Sequence, residues 1–315
     1  MDIYFGHTQT PNFTDGSALT IGNFDGVHVG HLHILKKLRS ASEQRNLPSV
    51  LMIFEPQPTE YFARIHGKEM PFRLTPLRDK LHLLEKSNCL DAVWVRRFNQ
   101  EFANLSADEF IQQILLQQLN IKYLLIGDDF RFGSGRGGNI ELLKSQSAFE
   151  VEQVPSILLS GNRASSTAVR EALSSGRIIS ATHILGHNYT LSGRVMYGRQ
   201  LGRTLNCPTA NIYLPRHHYP MSGVYLCKVN GDFGMRFGVA NFGTKPTVSA
   251  EKVQTLEVHL FDFNQNLYGK RLSVSFLLKL RDEQKFANID ELKQQIQQDM
   301  QQALSLIPQY QTEII

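Results

Sequence analysis

Cysteine is scarce in this sequence: Cys89, Cys207 and Cys227 are far apart and form no CxxC pair. Their spacing indicates neither a disulfide framework nor a zinc site, and free thiols are typical of a cytoplasmic protein. No apolar run reaches about 18 residues, the length that argues for a membrane span. The first ten residues, MDIYFGHTQT, lack the basic and apolar segments of a signal peptide. We therefore expect a cytoplasmic protein without a membrane partner.

A strong charge imbalance is also absent. The net charge is +4, with 20% charged and 42% hydrophobic residues, which is ordinary for a globular protein. This excess is too small to predict a nucleic-acid surface, but it suits anionic small ligands. With 315 residues, the chain is long enough for two domains.

Apolar strand-like segments alternate with amphipathic stretches in the first part of the chain. The strand candidates are 18–22, 49–54, 91–95 and 121–126. Between them, Ser106 and Glu109 form a capping box that opens a helix. Alternation of this kind predicts a Rossmann-like α/β domain, with a doubly wound parallel sheet between layers of helices.

The pattern changes near residue 185. Strand-like segments then follow one another without long helices at 189–197, 223–229, 235–241, 254–262 and 271–279. A helix over 289–304 follows, with apolar residues every three or four positions. We predict a small antiparallel β-barrel with a terminal helix, and domains at 1–185 and 186–315.

The stretch TIGNFDGVHVGH, Thr20 to His31, joins a buried strand directly to a helix. Glycines let a backbone approach a ligand, and a helix start attracts anions. His28 and His31 are three residues apart, so both can point at such an anion, and a nucleotide triphosphate fits. The alternative is a glycine-rich turn with incidental histidines.

A second stretch, ASSTAVR, supports this interpretation. Ser165, Ser166 and Thr167 precede a helix whose first turns carry Arg170, and both residue types bind phosphate. The alternative is a helix cap followed by a surface arginine.

Together, GNFDGVHVGH and SSTAVR resemble the paired motifs of the nucleotidyltransferase superfamily. FEPQP at 54–58, RLTPLRDK at 73–80 and GDDFRFG at 127–133 are similar to the FMN adenylyltransferase module of bifunctional prokaryotic riboflavin kinase/FAD synthetases. GRTLNCPTANI at 202–212, GVYLCKV at 223–229, GVANFGTKPTV at 238–248 and LEVHLFDF at 256–263 resemble the riboflavin kinase module. The resemblance runs in order from about residue 15 to 300.

For the first module, the resemblance implies adenylylation of FMN to FAD by ATP, with pyrophosphate as leaving group. His28, His31 and Arg170 are then the catalytic candidates. The implied ATP contacts also include Gly22, Asn23, Phe24, Asp25, Ser165, Ser166 and Thr167, although Asp25 could equally be a turn-forming residue. The implied flavin contacts are Phe54, Pro56, Asp129, Phe130 and Phe132, and core packing is the alternative for each phenylalanine. Gln57 stands where the family usually has histidine, so this position cannot titrate.

For the second module, the resemblance implies phosphorylation of riboflavin to FMN by ATP. Glu257 matches the general base, and a surface glutamate is its alternative. Thr209 and Asn211 offer oxygen ligands for Mg²⁺. Asn206 and Cys207 replace the family's glycine–aromatic pair. Asparagine tolerates a left-handed turn, and we expect Cys207 to fill an apolar position without a catalytic role.

Three functions compete. The first is an enzyme with both activities. The second keeps one activity and makes the other module a flavin-binding regulator, which the intact candidate residues disfavour. The third is an RNA-linked adenylating enzyme, since HxGH-type motifs also occur in aminoacyl-tRNA synthetases. It requires a basic RNA-binding domain that this sequence lacks.

Overall fold

The computed structural model describes residues 1–6, 11–70, 72–159, 161–198, 207–214, 219–246 and 252–311. The chain divides into two compact units, Met1–Ser165 and Ser166–Ile315. None of the helices in these ranges is long and apolar enough to cross a bilayer.

A six-stranded parallel sheet forms the centre of the first unit. Its strands are β1 (Asp2–Phe5), β2 (Ser17–Ile21), β3 (Ser49–Glu55), β4 (Ala92–Arg97), β5 (Ile121–Gly127) and β6 (Glu150–Val154). They lie in the order β1-β4-β3-β2-β5-β6. The predicted doubly wound α/β architecture is confirmed. A short hairpin, β7 (Leu158–Leu159) and β8 (Asn162–Arg163), follows the sheet.

Helices cover both faces of this sheet, so its central strands are buried on both sides. The helices are α1 (Val29–Arg45), α2 (Pro58–Ile65), α3 (Leu77–Lys86), α4 (Gln100–Ala103), α5 (Ala107–Glu109), which continues as a π-helix (Phe110–Gln118), and α6 (Ile140–Lys144). Successive residues of β3 face opposite layers. Leu51 and Ile53 pack with Leu35 of α1, whereas Val50 and Met52 pack with Ile111 of the π-helix.

The direction of the connections reverses between β2 and β5. The helix after β2 leads to β3 on one side of the sheet, and the segment after β5 leads to β6 on the other. Open α/β sheets bind their ligands at such a switch point, beyond the carboxyl ends of the strands. A ligand site is therefore expected at the turns that follow β2 and β5.

A closed antiparallel barrel forms the second unit, as predicted. Its strands are β9 (Thr190–Met196), β10 (Ala210–Ile212), β11 (Gly223–Gly231), β12 (Gly234–Pro246), β13 (Lys252–Leu260) and β14 (Arg271–Arg281). Their order around the barrel is β10-β13-β12-β11-β14-β9, and pairing of β9 with β10 closes it. Closure leaves no sheet edge open to further strands.

Within the described residues, three helices accompany the barrel: α7 (Ser166–Ser174), α8 (Ile178–Leu185) and α9 (Ile289–Gln311). The first two pack on each other, and α8 contacts β14, so residues 166–185 belong to the second compact unit. The predicted domain boundary at 185/186 lies at the end of α8. The terminal helix runs seven residues past its predicted end at 304, because Ile307 and Tyr310 pack against the barrel.

Candidate nucleotide and flavin sites

The turn between β2 and α1 has an unusual backbone. Phe24 and Val27 have positive φ values of 46° and 44°, and Gly26 has a φ of 85°. A left-handed conformation is rare for a β-branched residue such as Val27 and is characteristic of functional sites. The Val27 side chain is buried, and the ring of Phe24 stacks on that of His31.

His28 and His31 cap α1 reciprocally. The backbone N–H of His31 donates to Nδ1 of His28 at 3.4 Å, and the N–H of His28 donates to Nδ1 of His31 at 3.3 Å. The two rings are stacked, with centroids 3.6 Å apart. Because each Nδ1 accepts a hydrogen bond, each neutral ring carries its proton on Nε2. The helix start thus presents two Nε2–H donors, which suits an anionic ligand.

Gly30 is required between these histidines. A Cβ atom at this position would lie 3.1 Å from the His28 ring and 3.4 Å from the carbonyl oxygen of Ala164. The glycine therefore lets the His28 ring lie over the helix backbone. The same contact places Ala164, and hence the chain entering Ser165, beside the start of α1. The histidine motif and the beginning of the serine motif are brought together in this way.

Burial keeps both histidines neutral. Desolvation lowers the pKa of His28 from 6.5 to about 4, against the opposing effect of Asp25, and Arg163 lowers it further. Desolvation also lowers the pKa of His31 well below its usual value, helped by the neighbouring His28 and Lys80. Neutral donors can bind phosphate without the cost of a buried charge.

Asp25, one of the predicted ATP contacts, is engaged within the protein. It is 2% exposed, and its carboxylate accepts hydrogen bonds from the backbone N–H groups of Leu74 and Thr75 and from the Thr75 hydroxyl. These bonds join the β2–α1 turn to the segment before α3. They match the turn-forming alternative for Asp25.

The three phenylalanines among the predicted flavin residues, Phe54, Phe130 and Phe132, belong to a continuous row of aromatic rings, whereas Pro56 and Asp129 are not part of it. Phe54 lies 5.5 Å from Phe102, Phe102 lies 6.1 Å from Phe110, and Phe110 lies 5.2 Å from Phe132, between ring centroids. Phe130 stacks on Phe132 at 5.8 Å. Phe54 and Phe132 are buried and belong to the hydrophobic core, whereas Phe130 is half-buried. The row runs through the hydrophobic core from the end of β3 to the segment after β5, where the half-buried Phe130 lies.

A charged cluster follows β5 and joins Asp129, a predicted flavin contact, to Asp128 and Arg163, which were not predicted as site residues. Arg163 contacts Asp128 at 3.3 Å and Asp129 at 2.9 Å, and Asp128 also accepts hydrogen bonds from the backbone N–H and hydroxyl of Ser156. Arg163 is 35 residues from Asp128 in sequence, so no local pattern indicates the pair. Its cation adds to the positive potential around His28.

Polar residues on three adjacent strands form a second site, on the barrel. Glu257 of β13 lies directly opposite Asn211 of β10 and Asn241 of β12. Opposed residues share one face of a sheet. Glu257 is half-buried between the fully buried Leu256 and Val258, so the predicted alternation is confirmed. The sequence analysis did not select Asn241, although it lies in the quoted GVANFG segment.

The remaining predicted residues lie in the second unit or outside the described residues. Ser166, Thr167 and Arg170 are in the first turns of α7. Thr209 precedes β10 and is half-buried. Cys207 is buried, and burial raises its pKa to about 11. Asn206 lies outside the described residues, as does most of the glycine-containing loop before it.

The neutral histidine pair makes the first unit sensitive to acid. Because the folded pKa of His28 is about 4, against 6.5 normally, the unfolded chain binds more protons between these pH values. Stability should therefore fall as the pH drops from 6.5 to 4, by about 3 kcal/mol for His28. His28→Asn keeps a capping oxygen but cannot titrate.

Urea unfolding at each pH, followed by fluorescence of Trp94, measures this effect. Trp94 is the one tryptophan of the sequence and is buried in the first unit. The wild-type and His28→Asn curves should converge towards pH 4. Parallel curves over the whole range would contradict a neutral His28.

Comparison with known proteins assigns each part of the chain to a family. The family model for FAD synthetase matches residues 10–168, and the model for riboflavin kinase matches residues 185–307. A bifunctional riboflavin kinase/FMN adenylyltransferase from Haemophilus influenzae is 49% identical over 307 residues, covering 96% of this chain and 98% of the relative. The Escherichia coli K12 enzyme of that name is 46% identical, covering 93% and 92%.

A solved structure shares the fold over the whole chain. It is titled as a macrolide-efflux protein from Streptococcus pneumoniae, with a TM-score of 0.81 and 27% identity, and it covers 96% of this chain and 98% of its own. An α/β unit with anion donors at its switch point, followed by a barrel with a carboxylate on its face, defines a two-module nucleotide-dependent enzyme. The chain belongs to the family of bifunctional riboflavin kinase/FMN adenylyltransferases.

Proposed function

We propose that this chain makes FAD from riboflavin in two ATP-dependent steps. The barrel unit phosphorylates riboflavin to FMN, and the α/β unit transfers the adenylyl group of ATP to FMN with release of pyrophosphate. The observation that carries the second step is the reciprocal histidine cap, which fixes the proton of each neutral ring on Nε2 at a helix start by the switch point.

In adenylyl transfer the FMN phosphate attacks the α-phosphorus of ATP. The attacking oxygen is already anionic, so catalysis consists of alignment and charge neutralisation. His28 and His31 would donate to the ATP phosphates, and the Ser165 hydroxyl, which follows Ala164 beside the start of α1, would bind phosphate as well. We assign Thr167 and Arg170 a phosphate-binding role from their motif alone. The aromatic row from Phe54 to Phe130 would receive the flat flavin ring.

In the kinase step a ribityl hydroxyl attacks the γ-phosphorus of ATP. A neutral hydroxyl is a weak nucleophile, and Glu257 would accept its proton. Asn211 and Glu257 provide oxygen atoms on one barrel face, and Thr209 precedes Asn211 by two residues in the chain. This donor set fits Mg²⁺, so we propose that Thr209 and Asn211 hold the ion, which neutralises phosphate charge. We place both reactions in the cytoplasm, without nucleic acid or membrane.

Incubating the purified protein with riboflavin, ATP and Mg²⁺, then separating the flavins, tests this function. Both FMN and FAD should appear, with FMN accumulating first. One flavin alone would support a single activity with a regulatory module. Neither flavin would favour the RNA-linked alternative, which adenylate formation in the presence of transfer RNA would then test.

His31→Ala should slow FAD formation from supplied FMN by about one to three orders of magnitude, the usual effect of losing one transition-state donor. Phosphorylation of riboflavin by the same preparation should keep its wild-type rate, because the barrel carries that site. His33→Ala is a matched control on the same helix. Equal loss of both activities, with an unchanged melting curve, would mean that the sites are misassigned.

A further inference from the structure

The segment Arg73–Lys80 connects to the histidine turn through buried polar groups that the reaction scheme above does not use. Thr75 is 2% exposed and Lys80 is completely buried. The Thr75 hydroxyl accepts the backbone N–H of Gly26 at 2.9 Å and donates to Asp25 at 3.2 Å. Nζ of Lys80 donates to the carbonyl oxygen of Asn23 at 2.5 Å.

Each of these contacts falls on the strained part of the turn. Asn23 and Asp25 flank Phe24, and Gly26 precedes Val27. Phe24 and Val27 are the two non-glycine residues of this turn with positive φ. Such conformations cost about 1–3 kcal/mol each and persist only where surrounding contacts hold them. Gly26 N–H, Asn23 C=O and both Asp25 oxygens are held from outside the turn, by residues about 50 positions later in the chain.

The position of Lys80 is electrostatically expensive. Lysine is almost never fully buried without a partner, and a cation is disfavoured in the first turn of a helix such as α3. The negative charges of Asp25, Glu55 and Glu60 offset this cost, and the cation also acts on His31. The amine thus lies among carboxylates and is tied to the histidine turn by its bond to the carbonyl oxygen of Asn23.

We propose that Thr75 and Lys80 are positioning residues for adenylyl transfer. They hold the Asn23–Val27 turn in its left-handed path, so that His28 and His31 reach the reciprocal cap with both Nε2–H groups directed at the nucleotide. The proposal rests on the adenylyltransferase function stated above. Neither residue needs to touch a substrate.

Thr75→Val and Thr75→Ser form a matched pair, because valine keeps the volume and serine keeps the hydroxyl. Thr75→Val leaves the Gly26 N–H without its acceptor, and kcat for FAD formation should fall about ten- to hundredfold. Thr75→Ser should stay within a few-fold of wild type. Lys80→Met, which removes the donor to Asn23, is the second variant and should resemble Thr75→Val.

Ser17→Ala is the control for a general loss of stability. It removes a buried hydroxyl bond to the carbonyl oxygen of Leu119, at the opposite end of β2. Its melting temperature should fall about as much as that of Thr75→Val, but its kcat for FAD formation should not change. The kinase rate of the barrel unit is an internal control in every variant.

Nitrogen NMR of ¹⁵N-histidine-labelled protein provides a readout independent of activity. In the wild type and in the Thr75→Ser and Ser17→Ala variants, both His28 and His31 should be Nε2–H tautomers. In the Thr75→Val and Lys80→Met variants, the two histidines should be mixtures of both tautomers. Normal kcat in both Thr75→Val and Lys80→Met, or reduced kcat with unchanged tautomers, would overturn the proposal. A wild type that makes no FAD would refute the proposed function, while the tautomers would still test the positioning.

Discussion

Glu257→Gln should reduce FMN formation by about two to four orders of magnitude, the usual contribution of a general base. The amide keeps the shape and most hydrogen bonds of the carboxylate but cannot accept the proton of the ribityl hydroxyl. Affinity for riboflavin and ATP should change little, because β13 and its opposed residues Asn211 and Asn241 keep their register.

The measurement is single-turnover conversion of riboflavin to FMN, with FAD formation from supplied FMN recorded on the same sample. Glu291→Gln, at the start of α9 in the same unit, is the control and should leave both rates unchanged. Near-normal kinase turnover of Glu257→Gln would reduce Glu257 to a structural or metal-orienting role.

The second large effect that we expect is a loss of folding stability when the buried Arg73 is replaced. Arg73 is 3% exposed and forms two bonds to the buried Glu60, at 3.0 and 2.6 Å, and two to Glu55, at 3.0 and 2.8 Å. Arg73→Met should lower the free energy of unfolding of the first unit by about 3–5 kcal/mol, because it removes the guanidinium that neutralises the buried Glu60 carboxylate.

Arg39→Met is the matched control, since Arg39 also contacts two carboxylates, those of Glu43 and Asp91, but at the surface. Arg39→Met should lower the free energy of unfolding by about 1 kcal/mol or less. Urea unfolding followed by Trp94 fluorescence compares the two. Adding Glu60→Gln to Arg73→Met should restore part of the loss. Equal losses of unfolding free energy in the two arginine variants would show that the buried ion pairs of Arg73 stabilise the protein no more than the surface ion pairs of Arg39.

The sequence was sufficient where local pattern and packing agree. The continuous apolar run of β3 predicts a strand buried on both faces, and the alternation of β13 predicts a strand buried on one face. The glycines of the β2–α1 turn predict that a strand leads directly into a helix. Three strands of the six-stranded sheet and the barrel were not predicted, nor were the two-residue strands β7 and β8. β1 and β6 are edge strands with few buried residues, and β10 has three residues, so none carries a long enough apolar pattern.

The supporting groups of the candidate site could not be predicted because they depend on distant pairing. Within RLTPLRDK, Lys80 has the appearance of an ordinary solvated helix residue, and its burial follows from a partner 57 positions earlier. Arg163 and Arg73 likewise find their carboxylates only once the sheet is assembled. Histidine spacing predicts two donors near a helix start, but not the reciprocal cap that selects their tautomer.

The histidine cap also affects how the first unit discriminates among metal ions. A neutral imidazole that ligates zinc or copper through Nε2 must carry its proton on Nδ1. In His28 and His31 each Nδ1 already accepts a hydrogen bond from a backbone N–H, so a proton on Nδ1 would clash with that N–H. Coordination would require opening the first turn of α1. The helix start can thus attract phosphate in a cell that contains zinc and copper, while its two adjacent imidazoles are poor ligands for either ion.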